Sequence, residues 1–311
     1  MLTSTPRTRA PNPVQAQGAP RSDRLFSYRF PAYAWFGLAL NLLAWASSWL
    51  RIGPWSYTFF ALWFGFILVL DGLNYARKGH SPLQRSRIGF AALFAASAPL
   101  WWFFEVLNIP IQNWHYLMEQ YYSPLAFFLV ATLNFSTVLP AVMEIAELVT
   151  SFPRLRPRLG PNDVGPRLPL PWAAALLGLG IACLILPFLF PRYAFALIWL
   201  CAFFLLDPLN NLARQKSAFG HLLAHDWRFF VSIPLSALIC GFFWEMWNSQ
   251  ALPKWIYTIP FVNSSPALLP AHLFEMPLLG YSGYLPFALE LFAMYQFILL
   301  ITGRHKDGLT F

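Results

Sequence analysis

The sequence predicts an all-α integral membrane protein of about eight transmembrane helices. They form a parallel 4+4 internal duplication, pseudo-two-fold along the membrane normal, with both termini cytoplasmic. Three observations predict this: recurrent bilayer-length apolar stretches, basic residues concentrated on one side of them, and a second half that repeats motifs of the first.

Hydrophobic residues fill 58% of the 311 positions and charged residues 11%, against roughly 45–50% and 25% in soluble domains. Such a chain has too little polar side chain to cover a water-facing surface. Apolar runs fall at 33–51, 56–76, 88–107, 124–150, 171–190, 193–212, 229–247 and 282–302. Each is long enough for a helix rising ~1.5 Å per residue to cross a hydrocarbon layer of ~30 Å.

A net charge of +8 could suit nucleic acid, but the basic residues flank the apolar runs on one side, which speaks for a lipid bilayer and against nucleic acid as partner. With the N-terminus inside, cytoplasmic segments hold Arg7, Arg9, Arg21, Arg24 and Arg29, then Arg77, Lys78, Arg85 and Arg87, then Arg154, Arg156, Arg158 and Arg167. Arg214, Lys216, Arg228, Arg304 and Lys306 complete the set, and only Arg51, Arg192 and Lys254 fall outside. An odd number of spans would scramble this distribution. Residues 1–30, rich in Pro, Arg and Ser with no apolar core, read as a disordered cytoplasmic tail and not as a cleaved signal peptide.

The duplication is visible without gaps. Tyr57 to Asn74 matches Tyr193 to Asn210, pairing Phe59 with Phe195, Trp63 with Trp199 and the closing Leu-Asp-x-Leu-Asn. Phe103 to Asn108 answers Phe243 to Asn248, and each is followed by an aromatic pair, Trp114 and Tyr116 or Trp255 and Tyr257. Ser-x-x-Leu-Pro-x-x-x-Glu then occurs twice, ending at Glu144 and at Glu290. The chain thus divides into a tail at 1–30, a first four-helix repeat at 31–150, a cytoplasmic basic linker at 151–170, a second repeat at 171–303 and a short cytoplasmic tail at 304–311. Within the second repeat, 249–281 carries Pro253, Pro260, Pro266 and Pro270 among its prolines, with many aromatics, and reads as an interfacial or re-entrant cover. An even number of spans returns each copy to its starting side, so the copies are parallel.

The repeated positions are mostly polar ones, which lipid disfavours; a carboxylate at mid-bilayer costs about 3 kcal/mol on insertion scales. Asp71 and Asn74 share a helix face that Lys78 continues, beside Arg77; Asp207, Asn210 and Arg214 repeat that spacing. Either each Asp is neutralised by its own basic neighbour, or the sets form a vestibule for a cation or an anionic head group. Glu105 with Asn108 and Glu245 with Asn248 lie near the outer ends of their spans, where the carboxylates can bond the Trp114 and Trp255 indoles as an aromatic clasp with Tyr116 and Tyr257. Pro140 and Pro286 each precede a Glu by four residues. A mid-span Pro would leave a carbonyl open beside Glu144 or Glu290, a proton or cation site, or it would simply kink a packing helix.

His221 and His225 are four apart, but a single pair of this kind in a basic loop is a weak metal signal, and no cofactor or metal is implied. Cys183, Cys201 and Cys240 lie in apolar runs without Cys-x-x-Cys spacing and read as packing residues. Asp71-Gly72 ahead of Ala76-Arg77 is similar to the opening of the CDP-alcohol phosphotransferase signature. Three residues separate these pairs where that family has two, and its downstream Gly and Asp residues lack counterparts, so no family is assigned.

Retention of Asp, Asn, Glu, Asn and Glu in both copies favours a shared axial pathway over one asymmetric reaction centre. The expectation is a transporter- or channel-like protein of the cell (plasma) membrane, with Glu144 and Glu290 facing each other to bind a proton, cation or small polar solute. Asp71 and Asp207 would line its inner mouth, and Glu105 and Glu245 its outer mouth. The alternatives are an intramembrane enzyme acting on a lipid or isoprenoid with Glu144 or Glu290 as acid or base, and a structural or assembly subunit.

Overall fold

The computed structural model describes residues 25–117, 121–262 and 271–304. Most of the first tail, with Arg7, Arg9, Arg21 and Arg24, lies outside the described residues, as do Pro266, Pro270 and the C-terminal residues with Lys306.

The structure is mostly helical. Helix α1 runs Ala32–Leu50, α2 Thr58–Lys78, the short α3 Pro82–Arg85, and α4 Arg87–Ile111. Strand β1, Trp114–Leu117, follows, then α5 Pro124–Phe135 and α6 Val138–Thr150. After the linker come α7 Leu170–Leu189, the short α8 Pro191–Ala194, α9 Cys201–Leu212, α10 Ala218–Leu223 and α11 Phe229–Asn248. Strand β2, Lys254–Tyr257, the two-residue strands β3 and β4 at His272–Leu273 and Met276–Pro277, and α12, Tyr284–Thr302, complete the described chain.

Seven segments are long and apolar enough to cross a membrane: 55–78, 87–111, 124–150, 170–189, 191–212, 229–248 and 278–302. They make this a membrane-embedded, multi-pass protein. Helix α1 has the length, 19 residues, but Asn41, two serines and three tryptophans dilute its apolarity, and it is not among the seven. It lies along α2 at very close range, because Gly37 and Gly65 face each other: a Cβ on Gly65 would sit 2.6 Å from the Gly37 carbonyl oxygen. Its buried amide is satisfied across that contact, with Asn41 Nδ2 donating to Leu62 O at 2.8 Å.

Helix ends follow local chemistry. Ser81, Ser86, Ser123 and Ser217 cap α3, α4, α5 and α10 with their hydroxyls, each occupying one of the N–H groups that a first turn leaves open. Gly79 at φ +78° ends α2, a left-handed position that a residue without Cβ adopts freely. The expected tail differs at its last residues, since Ser27 and Tyr28 N–H both donate to Ala76 O at 2.9 Å.

Two spans are broken. Between α5 and α6, Ser97 Oγ inserts into the helical ladder, donating to Phe135 O at 2.6 Å and accepting from Leu139 N at 2.9 Å. In the second half, the 3₁₀ stretch Phe195–Trp199 separates α8 from α9.

The central helices are α6 and α12, with α6 packed on α2, α4 and α11, and α12 on α9 and α11. Aromatic pairs tie the halves together: Trp63 to Trp244 at 5.2 Å, and Phe104 to Trp199 at 5.3 Å. At one end, β1 and β2 form an antiparallel ribbon in which Trp114 faces Tyr257, His115 faces Ile256 and Tyr116 faces Trp255. At the other end lies the linker, fastened by Asp226, whose Oδ2 accepts from Arg158 N at 2.6 Å and Leu159 N at 3.1 Å.

Candidate functional site

The duplicated polar residues fall into two groups, one at the linker end and one beneath the ribbon. At the linker end, Asp71 accepts from Ser81 Oγ at 2.7 Å, from Leu83 N at 2.8 Å and from the Tyr33 hydroxyl. Asp207 accepts from Ala218 N at 2.8 Å and Phe219 N at 2.9 Å. Each carboxylate therefore closes the N-terminus of the next short helix, α3 or α10, and lies fully buried. The α2 and α9 carboxylates oppose their own helix dipoles, and a neighbouring helix N-terminus answers that charge.

Neutralisation by the residue seven positions on does not occur. Lys78 pairs with Glu147, which Arg85 also grips, its Nη2 reaching Oε2 at 2.7 Å. Arg214 Nη1 donates to Gly165 O at 3.2 Å, and Arg77 Nε to Ser151 Oγ at 2.7 Å. A basic residue on the same face reaches the neighbouring element more easily than back along its own helix, where the Asp is already occupied.

The prolines also differ from expectation. Pro140 and Pro286 are each the third residue of their helix, α6 and α12. There the missing N–H is one that no helix could satisfy internally, so neither Pro opens a mid-helix carbonyl beside its Glu. Glu144 instead accepts from Asn74 Nδ2, 2.8 Å from Oε2, and Asn74 also reaches Glu144 O at 3.0 Å. In the second half the partners lie one turn further on: Asn210 Nδ2 donates to Ala293 O at 2.9 Å, and Glu290 Oε1 accepts from Ala202 N at 2.7 Å. Glu144 Oε1, Glu290 Oε2, Asn74 Oδ1 and Asn210 Oδ1 are buried without a hydrogen-bond partner among the described residues.

Beneath the ribbon lies a chamber. Glu105 accepts from Trp101 Nε1 at 2.8 Å, Trp114 Nε1 at 3.2 Å and the Tyr116 hydroxyl at 2.6 Å. Glu245 accepts from the hydroxyls of Tyr257 at 2.6 Å and Tyr284 at 2.8 Å. Trp255 Nε1 donates to Tyr257 OH at 2.7 Å, so the indole reaches Glu245 through a phenol and not directly. Asn108 and Asn248 hold the start of each strand, with their Nδ2 atoms donating to Trp114 O at 2.8 Å and Trp255 O at 2.7 Å.

The aromatic donors Trp101, Trp114, Tyr116, Trp255, Tyr257 and Tyr284 line a cavity of about 390 Å³, within the range of small-molecule sites. Its walls are largely aromatic, with Trp101, Trp114, Trp199, Trp244, Trp255 and Phe287 among them. Glu144 and Glu290 do not line it. Trp199 and Tyr284 had a sequence signal only in part: Trp199 repeats Trp63, whereas nothing near Tyr284 announces its bond to Glu245.

Among the described residues no group of three His, Cys, Asp or Glu side chains is placed to hold a metal ion. His221 Nδ1 bonds Asp226 Oδ2 at 3.0 Å. No family model matches the chain, and neither a curated protein nor a solved structure matches it.

Proposed function

We propose that this chain is a plasma-membrane protein of eight spans, both termini cytoplasmic, that takes an apolar, lipid- or isoprenoid-like ligand into the aromatic chamber. The observation that carries the reading is the cavity of about 390 Å³ walled by tryptophan and phenylalanine between the halves. An elongated hydrocarbon chain gains there by leaving water, at about 25 cal/mol per Å² of apolar surface buried.

The architecture behind this reading is the 4+4 duplication, with α1 as the eighth span. Two relationships support it. Trp63 touches Trp244 while its counterpart Trp199 touches Phe104, the counterpart of Trp244. In the ribbon, Trp114 faces Tyr257 and Tyr116 faces Trp255, the pairing expected if a two-fold axis through the His115–Ile256 pair related two copies. The basic residues gathered at the linker end support a cytoplasmic assignment for that end.

Titration of the purified protein in nanodiscs with isoprenoid alcohols of increasing length, followed by tryptophan emission, tests the reading. Saturable quenching that weakens in Trp199→Ala is expected. Absence of saturable quenching across the whole series would overturn it.

A second reading, movement of a proton, cation or small polar solute through Glu144 and Glu290, draws on the four buried acceptor oxygens without donors at Glu144, Glu290, Asn74 and Asn210. A bound proton or cation would satisfy such oxygens. Liposome flux that is lost in Glu144→Gln plus Glu290→Gln supports this reading. Wild-type liposomes that pass neither protons nor a broad panel of cations and small polar solutes would end it.

A further inference from the structure

The chamber's charge balance is one-sided. Glu105 and Glu245 stand behind its walls, their carboxylates accepting from Trp101, Trp114 and Tyr116 and from Tyr257 and Tyr284. Among the described residues no Lys, Arg or His lines the cavity. The basic residues at this end are engaged elsewhere. Lys254 Nζ pairs with Glu275 at 2.5 Å, Arg51 stacks on Trp55 at 4.6 Å, and Arg192 lies over Phe261 at 5.6 Å. His115 Nε2 bonds Thr258 Oγ1 at 2.8 Å. Glu245 is fully buried, and its Oε2 has no hydrogen-bond partner. Buried carboxylates without a positive partner are costly, and a ligand that supplies the charge removes that cost.

The walls point the same way. A ring that donates its O–H or N–H to a carboxylate gains electron density, which strengthens the attraction of its face for a cation. Tyr116, Trp114, Tyr257 and Tyr284 are all such donors and all line the cavity.

We infer that the ligand of this chamber carries a positive charge on an apolar body: a quaternary or protonated amine joined to a hydrocarbon chain. This rests on the chamber reading above and deepens it. An anionic amphiphile is disfavoured by the two carboxylates, and a bare inorganic cation by walls that offer π faces in place of oxygen ligands. The same chemistry is available from a choline lipid head group and from a free amphiphilic amine.

The test compares octyltrimethylammonium, kept below its micellar concentration, with its neutral carbon isostere, by tryptophan emission of the wild-type protein in nanodiscs of an uncharged glycolipid, whose surface does not concentrate cations. The cation is expected to bind about tenfold more tightly, which corresponds to about 1.4 kcal/mol. In Glu105→Gln plus Glu245→Gln the preference is expected to shrink to about twofold or less. Because the first comparison needs no variant, it decides even where the double variant fails to fold. Equal saturable binding of both compounds overturns the charge inference and leaves the chamber reading standing. Saturable binding of neither, together with no response to the isoprenoid alcohols, overturns both. Repeating the titration in phosphatidylcholine discs separates the sources. Loss of the cation's signal there supports a lipid head group as the natural occupant, and an unchanged signal supports a free amine.

Discussion

Glu290 on α12 accepts the backbone N–H of Ala202 at 2.7 Å, so a carboxylate from a neighbouring helix closes the first turn of α9 inside an apolar span. The 3₁₀ stretch ahead of α9 leaves its first N–H groups without helical partners, and lipid offers them none. The positive end of the α9 dipole also favours an anion at this place. Glu144, at the matching sequence position, meets an unbroken α2 and bonds the side chain of Asn74 instead.

Replacing Glu290 is therefore expected to act on stability. Glu290→Ala should cost about 2 kcal/mol, by loss of the cap and exposure of an unsatisfied N–H, whereas Glu290→Gln, which keeps an acceptor oxygen, should cost about half that. Melting midpoints in detergent check the order. Equal midpoints for wild type and Glu290→Ala would remove the capping role.

Glu147 is gripped by Lys78 and Arg85 and is fully buried. Removing the shared anion leaves two cations facing each other in a partly buried space, while removing one cation leaves an ion pair intact. Glu147→Gln is thus expected to cost about 3 kcal/mol or more, and Lys78→Met clearly less. Unfolding in sodium dodecyl sulfate measures both. A larger effect for Lys78→Met would show that Arg85 does not hold Glu147 alone.

Much of this was legible in the sequence. Seven of the eight apolar runs match the candidate spans to within a few residues, since length and hydropathy are local properties that lipid enforces. The Trp114 and Tyr116 motif and its copy were visible as a repeat, but their pairing into a ribbon was not, because four-residue strands carry too little pattern. The breaks were hidden as well. Ser97 interrupts the α5–α6 ladder from another helix, and the α9 break becomes tolerable only through Glu290, 88 positions along the chain. Spacing along one helix also suggested that Lys78 answers Asp71, although the ion pair runs across to Glu147. Hydrogen-bond partners chosen between elements leave no mark on the periodicity of either one.

His221 lies outside the spanning segments, buried and stacked on Phe229 at 4.1 Å with Nδ1 on Asp226. Burial holds its imidazole below the ordinary value of 6.5, and Asp226 offsets this only in part. Below about pH 6.5 the unfolded chain takes up a proton that the folded one resists, so the unfolded state binds more protons and stability falls with pH. The melting midpoint is expected to decline from pH 6.5 towards pH 5, and His221→Phe, which keeps the stacking but cannot titrate, should flatten that decline. Parallel profiles for the two proteins would assign the pH dependence to other groups.

The contact of α1 with α2 supplies the sharpest steric prediction. A Cβ on Gly65 would lie 2.6 Å from Gly37 O and 2.8 Å from Asn41 N, both backbone atoms that cannot swing aside. Accommodating even one methyl group requires the helices to part, which also weakens the bond from Asn41 to Leu62 O. Gly178 on α7 is the internal control, because a Cβ there meets nothing within 4 Å. Gly65→Ala is expected to cost about 2 kcal/mol as overpacking, while Gly178→Ala should be neutral or slightly stabilising, since alanine favours helix over glycine by about 1 kcal/mol. A cysteine pair across the α1–α2 contact, cross-linked in native membranes, would report the separation directly. Efficient cross-linking that survives Gly65→Ala would mean that α1 does not depend on this contact to stay beside α2.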